Sequence, residues 1–290
     1  MASVYVVSVT VEHMRPSFFI IGANKCGTSS LFRYLVAHPF VLPCAQKEPN
    51  FFGEHDPKYI ARHIDDYFGL FPTVVDTGPV TLAWEASDEA GGDCHTVLTI
   101  ERRPERSYIT GEATASTFHD VSPALLHEYL PDTKLIVVVR DPVERAFSHH
   151  RMYRRFYEGG YDREGPVGDF DTDIAAELQA IQRGEPTRYL APGIYIDLLE
   201  AWEAIYGRDR VHVLTTEDVS DPAAAAASLR RLESYLDLPQ ARHDTALLGR
   251  RFNWARPARM SPSLRAALAE LYRPHNDRLQ HHLGRELNWQ

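Results

Sequence analysis

Lys25 lies between two glycines in the stretch Phe18 to Leu31, FFIIGANKCGTSSL. Gly22 closes an apolar run, Gly27 comes after Lys25 and Cys26, and the hydroxyls of Thr28, Ser29 and Ser30 follow. Glycines permit a tight path on which successive backbone N–H groups turn toward one point, and a helix opening at Thr28 adds its own unpaired N–H groups. A lysine and hydroxyls beside that point are the donors an anionic group requires. Basic residues are nearly all arginine, the lysines being Lys25, Lys47, Lys58 and Lys134, so Lys25 and Lys47 stand out. Cys26 sits in the same loop, but nothing near it in sequence activates a thiol as nucleophile.

The second constellation is KLIVVVRDPVERAFSHHRMYRR, residues 134–155. A buried strand runs out at Arg140, and Asp141 and Pro142 open a helix as cap and first residue. One face of that helix carries Arg145, Ser148 and His149, and an arginine with a serine makes a phosphate clamp. The alternative for Arg145 is an ion pair with Asp141 one turn back. The third is CAQKEPNFF, residues 44–52, where Glu48 is either a glutamate in a surface turn or a general base within hydrogen-bond reach of a hydroxyl. His55, His119, His149 and His150 compete for that role, the last two more simply read as packing or surface residues.

Elements must place these pieces together. Apolar, β-branched runs at 17–21 and 134–139 predict buried parallel strands, and 210–219 a third. Helical patterns cover 28–37, 121–130, 142–157, 173–183, 193–206, 222–236 and 261–282. The alternation predicts a three-layer α/β fold, P-loop-like, with a central parallel sheet flanked by helices and ligands at the carboxyl ends of its strands. No linker divides residues 1–290, so a single domain is expected. Residues 72–110 fit a hairpin or a lid, and 76–110 and 158–172 are the candidate substrate-lid insertions.

The bulk properties narrow the ligand. A net charge of −9 speaks against nucleic-acid binding, while a local donor cluster still serves a small anion. No apolar run is long enough for a membrane helix. The N-terminal stretch lacks a basic region and cleavage site and reads as an extra strand. Three cysteines, Cys26, Cys44 and Cys94, without metal spacing fit a reducing compartment, so a cytoplasmic protein with no metal is expected.

GANKCGTSSLFRYLVAHP and RDPVERAFSHH resemble the 5′-phosphosulfate loop and 3′-phosphate motif of sulfotransferases that use 3′-phosphoadenosine 5′-phosphosulfate (PAPS), closest to the heparan-sulfate and bacterial carbohydrate or natural-product branch. KEPNFF, YFGLFP, GEATASTF, GIYIDLLEAW, VLTTEDV and LYRPHNDRLQHHLG extend the likeness in order along the chain. The resemblance implies sulfuryl transfer to a hydroxyl of a small-molecule natural product or carbohydrate, leaving 3′,5′-adenosine bisphosphate. It assigns Lys25 to the leaving phosphate oxygen and Glu48 to the general base, with His119 next in line. Cys26, Gly27, Thr28 and Ser29 fall on the 5′-phosphate, and Arg140 and Ser148 on the 3′-phosphate. Arg250, Arg251 and Arg256 lie where relatives close over the nucleotide, with Trp254 a candidate for stacking on adenine. Lysine stands in some relatives where this chain has Ala113, and Glu112 beside it either takes over or holds the 5′ loop.

A P-loop nucleotide kinase would carry its lysine directly after Gly27, where Thr28 stands. A non-catalytic nucleotide-binding module would be marked by loss of Lys25 or Glu48. A carrier-protein-bound acyl acceptor and an aryl sulfate donor stay open, as does oligomeric state. The absence of a membrane anchor suggests a soluble bacterial tailoring enzyme.

Overall fold

The structure, a computed structural model, describes residues 12–74, 79–87, 93–102, 106–160, 166–248 and 260–289. The chain opens with β1 (Phe18–Gly22), α1 (Thr28–Val36) and β2 (Val41–Pro43), then α2 (Phe51–Glu54) and α3 (Pro57–Phe68). An antiparallel hairpin comes after them, β3 (Val80–Ser87) with β4 (Asp93–Ile100), paired from Val80↔Ile100 to Ser87↔Asp93. Next come β5 (Ile109–Ala113), α4 (Thr117–Asp120), α5 (Pro123–Tyr129), β6 (Lys134–Val139) and α6 (Pro142–Glu158). The remainder is α7 (Phe170–Gln182), α8 (Tyr195–Tyr206), β7 (Val211–Thr215), α9 (Thr216–Ser220), α10 (Pro222–Tyr235) and α11 (Pro262–Leu283).

The main sheet is parallel throughout, in the order β2-β5-β1-β6-β7. Its centre is fixed by apolarity. Every residue of β1 is buried, and so is all of β6 except Lys134. Strands covered on both faces leave no room for polar alternation. Burying each large apolar side chain contributes roughly 1.5–3 kcal/mol, so these two runs claim the middle of the sheet. Helices cover it, α1 packing on β1, β2 and β5 and α8 on β7. The order reverses around β1, with β5 on one side and β6 on the other. That reversal opens a crevice at the carboxyl ends of β1 and β6, where ligands of such sheets bind.

Two expected elements change. The strand expected over 210–219 stops at Thr215, because Thr215 and Asp218 form a capping box that starts α9. The helix expected over 121–130 is α5 alone, preceded by the short α4 and opened by Pro123 at its first turn. The hairpin reading of 72–110 is met by β3 and β4. The extra strand expected at the N-terminus falls on residues 1–11, outside those described.

Candidate active site at the carboxyl edge of the sheet

The glycine loop starts where β1 ends against Phe118. A Cβ built on Gly22 would lie 2.3 Å from the Phe118 Cβ, so only glycine fits this approach. The Ala23 N–H then donates to the Val138 carbonyl at 2.8 Å, carrying the chain toward β6. Lys25 takes the left-handed conformation at φ 70, and Gly27 at φ 101 caps α1 without a side-chain hydrogen bond. The first turn of α1 therefore keeps its N–H groups free of any side-chain cap and turned to the crevice. Three distant residues stitch the loop down. Thr216 Oγ1 donates to the Cys26 carbonyl at 2.8 Å, Arg140 Nη1 to the Lys25 carbonyl at 3.4 Å, and the Tyr195 hydroxyl to the Arg140 carbonyl at 2.9 Å.

Lys25 reaches across to α6, its Nζ 3.6 Å from the Met152 sulfur. Burial pushes its ammonium down from 10.5 to about 8, with the Glu48 carboxylate working the other way and Arg155, Arg140 and Lys47 adding to the fall. Glu48 and Lys25 thus share one electrostatic neighbourhood. Glu48 lies in the turn before α2, ion-paired with Lys47, and its side chain remains 41% exposed, open to an incoming acceptor.

Beneath this turn Glu112 is fully enclosed. Its two oxygens accept from the Tyr67 hydroxyl at 2.7 Å and the Thr114 hydroxyl at 2.6 Å. Burial pushes its carboxyl up to about 7, those two hydrogen bonds opposing and Glu48 adding to the rise. Of the two readings offered for Glu112, a hold on the 5′ loop is not what its hydrogen bonds describe. They tie β5 to α3.

On the other side, Asp141 caps α6 by accepting from Val143 N at 2.8 Å and Glu144 N at 3.2 Å. The ion pair with Arg145 offered as an alternative is absent from that carboxylate's bonds. Arg145 is instead fully buried, donating to the Tyr189 carbonyl and lying 3.3 Å from His149 Nδ1. Enclosed in this way, it presents no guanidinium to a ligand. Arg140 is 25% exposed and lies 4.0 Å from the Glu144 carboxylate. Ser148 is buried two turns along α6. His149 is driven down to about 2 by burial and then by Arg145, and so stays neutral. His150 pairs with Asp173 at 3.0 Å. Both histidines belong to the packing of α6, the simpler of their two readings.

His119 sits on α4 with its Nε2 3.6 Å from the Asp120 carboxylate. Burial lowers it, Asp120 opposing and the Arg145 charge adding to the fall, and its Nδ1 is enclosed without a partner among the described residues. His55 Nδ1 is spent on the Phe51 carbonyl at 2.9 Å. The Cys26 side chain is wholly buried, 3.7 Å from the Tyr195 hydroxyl, and burial raises its thiol to about 11. Its N–H donates to the Ala23 carbonyl at 3.2 Å. Arg250, Arg251, Arg256 and Trp254 lie outside the described residues. Thr216, Tyr195, Met152 and Asn50 do not stand out in the sequence, although the segments that carry them do.

A glycine loop with an embedded lysine, an uncapped helix start and an arginine at a strand end define an anion-binding α/β protein. The protein belongs to the sulfotransferase family, whose model matches residues 16–242. It is similar to human carbohydrate sulfotransferase 15, 26% identical over 93% of this chain and 54% of the relative. Mouse heparan sulfate glucosamine 3-O-sulfotransferase 3B1 is 28% identical over 94% of this chain and 65% of its own length. The chain therefore spans about half to two thirds of these two relatives. A solved sulfotransferase from Alicyclobacillus acidocaldarius superposes with a TM-score of 0.64 at 26% identity, covering 94% of this chain and 97% of that one.

Proposed function

We propose that this protein transfers a sulfuryl group from PAPS to a hydroxyl of a carbohydrate or small-molecule acceptor. The observation that carries the reading is Lys25, set in the glycine loop just past the carboxyl end of β1 and within the electrostatic reach of the exposed Glu48 carboxylate. The loop N–H groups, Thr28 and Ser29 bind the 5′-phosphate, and Arg140 and Ser148 the 3′-phosphate. Lys25 meets the charge that develops on the oxygen bridging phosphate and sulfur, stabilising it where it appears. Glu48 removes the proton from the acceptor oxygen as its bond to sulfur forms and the bond to the leaving phosphate breaks. The names of the curated relatives favour a sugar acceptor, while a net charge of −9 makes a neutral sugar or small molecule a better fit than a polyanionic chain.

Calorimetric titration with 3′,5′-adenosine bisphosphate, against ADP and AMP, tests the donor site. The expected result is micromolar binding of the bisphosphate with both controls much weaker, and equal affinities would remove PAPS from the reading. Glu48→Gln should bind the bisphosphate as wild type does yet lose turnover. A Glu48→Gln enzyme with normal turnover would take the base role away from this residue.

A further inference from the structure

We infer that Asn50 is a positioning residue for Glu48, an inference that rests on the reading of Glu48 as the base. Glu48 and Asn50 both hold the left-handed backbone conformation, each at φ 52, with Pro49 between them. For a residue other than glycine this conformation is unfavourable and persists only where the surroundings impose it. Two such residues in three, one of them bearing the proposed base, require a visible restraint.

The Asn50 side chain supplies it. Its Nδ2 donates to the Glu48 carbonyl at 3.0 Å, closing the turn on itself, and asparagine is the side chain that best tolerates this backbone region. Its Oδ1 in turn accepts from the Ser116 hydroxyl at 3.3 Å, so the turn is pinned to the segment between β5 and α4. The chain beyond Asn50 is equally anchored. The Asn50 carbonyl accepts from Gly53 N and Glu54 N, and Phe51 stacks on Tyr67 at 5.2 Å, whose hydroxyl is held by Glu112. Among the described residues the exposed carboxylate of Glu48 has one direct partner, Lys47, which is its own neighbour in the chain and moves with it. The direction in which Glu48 points is therefore set by its backbone, and its backbone is set by Asn50. Ser116 positions Asn50 in the same sense. Neither residue touches a reacting atom.

Asn50→Gly separates the two contributions of this side chain, because glycine keeps the left-handed freedom and removes both hydrogen bonds. Displacing a base by about 1 Å is enough to reduce turnover on the order of 100-fold. Crystals of wild type and Asn50→Gly grown with 3′,5′-adenosine bisphosphate, together with turnover of labelled PAPS on a panel of nitrophenyl glycosides and phenols, test the idea, with Glu48→Gln as control. The expected result is a shifted Glu48 carboxylate and a kcat lower by about 10–100-fold, with KM for PAPS, bisphosphate affinity and melting temperature kept. Ser116→Ala should show a smaller loss that does not add to that of Asn50→Gly, as for residues acting through one contact. An Asn50→Gly protein in which Glu48 stays in place overturns the inference. So does wild-type kcat in Asn50→Gly while Glu48→Gln is inactive. Normal turnover in Glu48→Gln instead overturns the base reading itself, whatever Asn50→Gly does to the backbone.

Discussion

The Thr216 hydroxyl donates to the Cys26 carbonyl at 2.8 Å, a bond between residues 190 positions apart that ties the start of α9 to the glycine loop. The same oxygen lies 3.3 Å from the Val139 carbonyl, so one side chain locks the loop to the ends of both β6 and β7. Leaving such a partly buried carbonyl without its donor costs about 1–3 kcal/mol. Thr216→Val is expected to weaken bisphosphate binding by about tenfold, and Thr216→Ser to keep most of it. Titration of the two variants decides: wild-type affinity in Thr216→Val would show that the loop holds its shape without this bond.

Lys25 gives the site a proton linkage. With its ammonium lowered to about 8 by burial, the free protein at pH 8.5 holds this residue largely neutral. An anion seated against it raises that value again, so binding of the bisphosphate near pH 8.5 takes up a proton. Titrations in two buffers of different ionisation enthalpy should show this uptake in wild type and lose it in Lys25→Met.

The same shift has a stability consequence. Between about 8 and 10.5 the unfolded chain holds a proton on Lys25 that the folded one has released, so the fold gains stability as pH rises through that window. Below it the buried charge is a standing penalty. Lys25→Met should therefore melt higher than wild type at pH 7 while transferring no sulfuryl group. A variant that melts lower would mean that the lysine stabilises the fold.

Glu112 works with the opposite sign. Its folded carboxyl titrates near 7 against 4.5 in the free residue, so between those values the folded state holds a proton that the unfolded state has lost. Stability contributed by this group is present at pH 4.5 and declines as pH rises toward 7, by on the order of 3 kcal/mol at most. Glu112→Gln should flatten that part of the profile in urea unfolding at pH 5, 6 and 7. An unchanged slope would assign the pH dependence to other groups.

Gly22 is the steric limit of the loop. A methyl group there meets the Phe118 Cβ at 2.3 Å, well inside contact distance, and neither β1 nor α4 can recede without opening the core. Overpacking of this kind costs about 1–3 kcal/mol. Gly22→Ala is expected to unfold at lower urea, and to cost less in a Phe118→Gly background, where the opposing Cβ is gone. An equal cost in both backgrounds would place the clash elsewhere.

How legible each element is in the sequence depends on how local its signal is. β1 and β6 are legible because an unbroken apolar, β-branched run has few other uses. β2 and β5 are not, since VLP is short and ITGEA carries a carboxylate near its end. Both become strands only through pairing in the sheet, β5 beside β1 and β2 beside β5. α3 escapes for a related reason: PKYIARHIDDYF is largely polar, and only Ile60, Tyr67 and Phe68 are buried. β7 reads too long because Val219 continues an apolar rhythm across a helix start that only the Thr215–Asp218 pairing reveals. In the site, Lys25 and Glu48 are visible by residue type in a glycine loop and a recognisable motif. Asn50 and Thr216 are ordinary polar residues until their partners, 66 and 190 positions away, are in place.

The order β2-β5-β1-β6-β7 also governs when the site comes into being as the chain is made. β1 is synthesised early, yet its sheet neighbours begin at Ile109 and Lys134, and the loop's first anchor is the Val138 carbonyl. Until then the most apolar strand of the sheet has no flanking strand to pair with, a state in which nascent α/β chains aggregate. The last bond on the loop waits for Thr216. The contacts that hold the loop are thus completed only once both β6 and the start of α9 have been made.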